Sequence, residues 1–222
     1  MMTDATVSKQ RLRITFTRDE TLKYIGHLDM ARTWQRVARR ANLPLAYSEG
    51  FNPQPRMSFA AALPVGCTSE HEELDMVLSP PCAIDEVKAQ LDRALPPGMK
   101  VIAIEEMPLK APALQMQLIA AEFEIAVEDQ ETVKLLTERV PQFLAATEVM
   151  RDRRGKVYNL RPLVQSLSIE PAQTARVAVI RSRLQATPEG TGRPDELAAA
   201  LGLDPASVKI KRTKLLFLDK TN

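Results

Sequence analysis

The chain has little of what marks most specialised protein classes. It holds two cysteines in 222 residues, Cys67 and Cys82, with no CxxC and no histidine at ligand spacing. That excludes a disulfide framework and a structural zinc site, and it points to a reducing compartment. No stretch approaches the roughly eighteen consecutive apolar residues that a membrane-spanning helix needs. Aromatics are sparse, with one Trp, three Tyr and six Phe, and the first strand lacks the stacked aromatics of an RNA-recognition sheet. A net charge of +2 is too small to argue for nucleic acid by itself. Residues 1–10, MMTDATVSKQ, carry Asp4 and no apolar core, so a secretory signal is not expected. These absences predict a cytoplasmic protein with no membrane partner.

What is present is an ordinary globular composition, 45% hydrophobic and 26% charged, long enough for two domains of about 100 residues. RLRITFT (11–17) alternates Leu12, Ile14 and Phe16 with polar residues and predicts a half-buried strand. A helix follows from near Leu28 to before Pro44, with Met30, Trp34, Val37 and Ala41 on one face. LAYS and RMSFAAAL predict extended segments, EELDMVLS (72–79) a strand, AIDEVKAQLDRAL (83–95) a helix and MKVIAIEEM (99–107) a strand. The order is βαββαβ, the ferredoxin-like pattern. PLKAPAL (108–114), with two prolines, reads as a linker.

The order then repeats: a strand at 115–128, a helix at 131–146, extended runs at 161–170 and 175–185, a short helix at 193–202 and a strand at 207–218. EVMRDRRGKVYNL interrupts it as a hairpin turning at Arg154-Gly155. The predicted fold is α+β: two tandem ferredoxin-like domains, 1–107 and 115–222, joined by 108–114, the second with a β-hairpin insertion.

Three motifs carry a resemblance: KYIGHLD (23–29), the run RRANLPLAYSEGFNPQPRMSF (39–59), and LPVG (63–66) before a strand beginning EELD. With them the chain resembles, over nearly its whole length, the radical-SAM-linked domain of unknown function. That domain is found fused behind, or encoded beside, a cobalamin-binding radical SAM protein. The resemblance implies a bacterial protein working with a radical SAM partner, and it carries no assigned reaction or catalytic residue. The chain has no CxxxCxxC motif, so an iron–sulfur centre would belong to another polypeptide. No cofactor and no metal are expected.

Three stretches, and then several basic groups, are candidates for chemistry. In SEGFNPQPRMSF, Pro53 and Pro55 stiffen a short rod that leaves carbonyls unpaired and presents Asn52, Arg56 and Ser58 as a clamp for a phosphate or carboxylate. The alternative is a rigid crossover packing Phe51 and Phe59 into the core. In KYIGHLD, His27 with Asp29 as its orienter suits acid/base work, beside Lys23 and Tyr24; otherwise His27 or Asp29 caps the helix. His71, Glu73 and Asp75 share one strand face, expected to be a solvated edge rather than a metal site.

The first helix sets Arg32, Arg36, Arg39 and Arg40 opposite its apolar face, without interleaved acids. Further basic groups are Arg181 and Arg183 on one strand face, Lys211 within KIKRTK (209–214), and Arg151, Arg153, Arg154 and Lys156 around the hairpin tip. The leading expectation is an accessory protein contacting structured RNA or another anionic partner. The alternatives are an RNA-processing or RNA-modifying enzyme using His27, Asp29 and Arg56, and a small-molecule binding module.

Overall fold

The structure, a computed structural model, describes residues 8–171 and 177–218. Most of the segment read for a signal peptide, and Ala175 and Arg176 of one predicted strand, lie outside them. The chain divides into two compact units, Met1–Ala62 with His71–Gln117, and Leu63–Glu70 with Leu118–Asn222. Both are α+β with predominantly antiparallel sheets. Among the described residues no helix is long and apolar enough to cross a membrane.

In the first unit the elements are β1 (Gln10–Arg18), α1 (His27–Arg40), β2 (Met57–Phe59), β3 (Cys67–Leu78, from His71 on in this unit), α2 (Ile84–Ala94), β4 (Met99–Met107) and the single turn α3 (Leu114–Gln117). Strand order is β2-β3-β1-β4. β4 runs antiparallel to β1 with Ile14 opposite Ile104, and β2 antiparallel to β3 with Ser58 opposite Asp75. Because side chains alternate along a strand, Leu12, Ile14 and Phe16 share one sheet face with Leu74, Met76 and Leu78, all fully buried. α1 covers that face with Met30, Trp34, Val37 and Ala38, and α2 with Val87 and Leu91. Trp34 meets Phe16 edge-on at 4.9 Å between ring centres, the geometry aromatic quadrupoles favour.

The approach to α1 is a 3-10 turn, Glu20–Leu22, capped by Asp19, whose carboxylate accepts from the Thr21 N–H. Gly98 reaches φ +87° beside it, and a Cβ there would collide with Thr21 Oγ1 and Asp19 Oδ1. The expected side-chain cap of α1 is not formed: Gly26 is the N-cap, and its carbonyl accepts from Met30 N at 2.9 Å. β3 is not an edge either, since β1 and β2 flank it.

The second unit contains β5 (Leu118–Val127), α4 (Gln130–Ala145), β6 (Met150–Arg153), β7 (Lys156–Asn159), β8 (Val164–Pro171), β9 (Ala178–Thr187), β10 (Gly190–Thr191), α5 (Pro194–Ala200) and β11 (Ile210–Phe217). Residues 115–117, expected in a strand, form the last turn of α3 instead. The sheet runs β10-β9-β5-β11; β8 also pairs β9, and β11 takes Cys67–Ser69 of β3 in parallel. Ile125, Leu136, Ile180, Leu184, Leu197 and Leu201 are completely buried. Asp129 caps α4 through the Thr132 N–H, a bond that holds its carboxyl below the usual range. The β6–β7 hairpin turns where expected, with Arg154 at φ +54° and Gly155 at φ +76°, the left-handed pair a type I′ turn requires.

Replacing Trp34 by Ala should cost about 3–5 kcal/mol, read as a lower urea midpoint in circular dichroism. Leu28, on the same helix but 72% exposed, should tolerate Ala within about 0.5 kcal/mol.

Candidate binding site

The sheet face away from α1 and α2 is built on charge. Arg11 and Arg13 alternate with Leu12 and Ile14, and Glu73 and Asp75 alternate with Leu74 and Met76. The Asp75 carboxylate accepts four hydrogen bonds: from Arg11 Nε (3.0 Å) and Nη2 (2.6 Å), and from Arg13 Nε (2.9 Å) and Nη2 (3.1 Å). Glu73 stands 3.6 Å from Arg13 and 3.0 Å from His71 Nε2. Glu73 and Asp75 are 9% and 3% exposed, so the solvated edge expected for this strand is a buried ionic cluster. It is buried partly because the 108–113 segment crosses it: Arg11 Nη1 donates to Ala111 O (2.6 Å) and Nη2 to Pro112 O (2.9 Å). Burial at this depth is tolerable only because each charge meets opposite charge and hydrogen bonds. Among the described residues no His/Cys/Asp/Glu group is arranged to hold a metal.

Above this cluster lies a pocket of about 390 Å³ lined by Arg11, Asp75, Ser48, Gln54, Arg56 and Ser58 among others. The proline loop forms its wall. Ser48 N donates to Gln54 O (2.9 Å), Gln54 N to Ser48 Oγ (3.0 Å), and Tyr47 bridges Pro55. Gly50, at φ +118°, allows the reversal between them. Three of the carbonyls expected to be unpaired are in use: Gln54 O takes Ser48 N, Pro55 O takes Met57 N and Arg56 O takes Val77 N. Asn52 is spent within the loop, its Oδ1 accepting from Gln54 Nε2 at 3.1 Å. Phe59 packs toward the core, but Phe51 is wholly exposed. Arg56 is exposed, and among the described residues neither its guanidinium nor the Ser58 hydroxyl has a partner.

His27 and Asp29 belong to the other side of the sheet. The His27 ring stands edge-on to Phe59 at 5.4 Å, on the face where Phe59 meets Phe16. Asp29 is bound to Arg32 at 3.2 Å rather than orienting His27, and neither His27 nor Asp29 lines the pocket of Arg56. Lys23 pairs with Glu20 at 2.7 Å, a bond that raises its pKa, and stands over the exposed Tyr24 ring. The arginine face of α1 is partly answered as well. Arg36 donates to Thr33 Oγ1 at 3.0 Å and Arg40 to the Ala94 carbonyl ending α2, while Arg39 is exposed and unpartnered among the described residues.

In the second unit the sheet arginines are neutralised across strands. Arg183 meets Glu122 (2.8 Å), and Arg181 meets Glu124 (2.6 Å) and Glu170 (2.9 Å). Lys211 is bound to Glu70 (2.6 Å) and Glu124 (3.2 Å); burial depresses its pKa, but these bonds outweigh burial and leave it raised. Arg151 (3.0 Å) and Arg153 (3.8 Å) share Glu196. Arg154 and Lys156 have no partner among the described residues. The pairing was encoded in alternation: E-x-E at 122–124 opposes R-x-R at 181–183 in register. The same signal, R-x-R at 11–13 beside E-x-D at 73–75, marked the buried cluster.

The chain is thus an α+β protein with a polar pocket at a rigid loop on its first unit. It belongs to the family described as "Uncharacterized protein conserved in bacteria (DUF2344)", whose pattern matches residues 11–194. No curated protein matches the chain.

Replacing Asp75 by Ala would leave two buried guanidinium groups short of counter-charge. The expected loss is about 3–5 kcal/mol of unfolding free energy, measured by urea titration, against a change within about 0.5 kcal/mol for Asp29→Ala.

Proposed function

We propose that the protein is an accessory binding module that docks an acidic surface of a radical SAM protein through the Tyr47–Arg56 loop. The observation that carries this reading is Phe51. An exposed phenylalanine forgoes about 1.5–3 kcal/mol of burial, yet it stands on a loop closed by two hydrogen bonds and stiffened by Pro53 and Pro55. A rigid aromatic beside a free arginine is the make-up of an interface hot spot: little entropy is lost on docking, and Arg56 offers a carboxylate-matching fork. Tyr47, about half exposed, widens the patch. The choice of a radical SAM protein as partner rests on the resemblance of the GFNPQPRMSF region and its neighbours to the radical-SAM-linked domain. The cytoplasmic location belongs to the same reading and rests on the sparse cysteines.

The scaffold in this proposal is a pair of ferredoxin-like units. Its support is topological: in βαββαβ order, the strands rank 4-1-3-2 across each sheet, as β4-β1-β3-β2 and as β11-β5-β9-β8. Structured RNA is a poorer occupant. The carboxylates bound to Arg181, Arg183 and Lys211 occupy the cations that a phosphate backbone would need. The enzyme alternative has less support, because His27 packs on Phe59 while Arg56 lines the pocket over Asp75.

The test is biolayer interferometry against the cobalamin-binding radical SAM protein of the same genome. Phe51→Ala should weaken binding at least tenfold. Arg56→Ala should weaken it several-fold and flatten its salt dependence, with urea midpoints unchanged for both. Wild-type affinity in both variants, or no complex at all, would overturn the proposal. Total RNA bound in a salt-dependent manner and lost in Arg56→Ala would replace the protein partner with RNA.

A further inference from the structure

The β6–β7 hairpin overhangs a second pocket, of about 480 Å³, wholly within the second unit. The chemistry of its walls is lopsided. Four cations line it, Arg153, Arg154, Lys156 and Arg193, against one lining carboxylate, Glu189. Arg193 is held by Asp195 at 2.8 Å, and Arg153 shares Glu196 with Arg151. That leaves Arg154 and Lys156, both exposed and both without a partner among the described residues. The type I′ turn sets them on either side of Gly155, and both line the pocket.

Two lining residues also carry buried, unanswered donors. The Tyr158 hydroxyl and Arg193 Nε are shielded from solvent, and neither has a hydrogen-bond partner among the described residues. Both atoms are shielded from the pocket, so the ligand contacts fall to the exposed groups on its walls. Burial pushes the Tyr158 phenol upward, so it remains a donor at neutral pH. Leu163 packs closely on Gly190, where a Cβ would stand 2.9 Å from Leu163 Cδ2, and both residues line the pocket. Glu189, kept ionised by its bond to Thr187, is an acceptor at the rim.

We propose that this pocket binds a small phosphomonoester with a hydroxylated body, a sugar phosphate or mononucleotide. Arg154 and Lys156 hold the phosphate, and Glu189 accepts from the sugar hydroxyls. A dianionic phosphate supplies the charge and the acceptor oxygens that these cations lack. The volume lies in the range of small-molecule sites, about 300–1,000 Å³. The inference uses different residues and a different unit from the Phe51–Arg56 loop, so either can fail alone.

The experiment is calorimetric titration of the full chain with ribose 5-phosphate and adenosine 5′-monophosphate, each against its unphosphorylated counterpart, ribose and adenosine. A 5′-phosphorylated trinucleotide and its 5′-hydroxyl form make a further pair. Each phosphorylated probe that binds should do so at least tenfold more tightly than its counterpart. Binding of the monomers identifies a free metabolite, and binding of the trinucleotide alone a chain end. The double variant Arg154→Asn/Lys156→Gln, in which Asn tolerates the positive φ, should lose at least tenfold. Arg56→Ala should leave binding unchanged. No binding at millimolar probe, equal binding of paired probes, or wild-type affinity in the double variant would overturn the proposal.

Discussion

One carboxylate, Asp75, organises the first unit. It draws Arg11 and Arg13 from β1 onto β3, and Arg11 in turn fixes the carbonyls of Ala111 and Pro112. A charge this deep cannot tolerate a missing partner, so the register of β1 on β3 and the path of 108–113 are held together. The other sheet face is free to be purely apolar, and α1 and α2 cover it with Trp34, Val37 and Leu91. The pocket beneath the proline loop exists because the ionic layer forms its floor.

Charge is handled in two ways across the molecule. Across β5 and β9, cations stand opposite glutamates, as Arg183 with Glu122 and Arg181 with Glu124. At turns the neighbours are absent, and Arg56, Arg154 and Lys156 are left with their charge available. Both proposed sites fall at such turns. A hairpin tip or a closed loop can hold a cation in place without supplying its counter-charge.

The elements were largely legible. Period-two alternation marked β1 and β4, the latter over the residues it occupies, and 3.6-residue periodicity marked α1 with its buried Met30, Trp34 and Val37. Arg154-Gly155 announced the hairpin because few dipeptides suit two positive φ angles. Less legible was where strands end. β3 begins at Cys67, earlier than EELD suggested, because Cys67–Ser69 pair with Ile210–Arg212 far along the chain. The fate of the two phenylalanines was equally hidden. Phe59 sits on a paired strand and packs inward, whereas Phe51 sits in a loop whose hydrogen bonds close without it.

The sequence by itself determined the local geometry: which segments are helix or strand, which face of each is apolar, and where prolines and glycines stiffen or reverse the chain. These follow from steric limits and periodicity acting over a few residues. Only the tertiary structure decided which charges are spent. Arg181 and Arg56 look alike in sequence, but one meets two glutamates across strands and the other none. It also decided that His27 and Arg56, each in a motif-like stretch, fall on opposite faces of one sheet. Cross-strand partners lie tens of residues apart, and no local pattern states which strand comes to lie beside which.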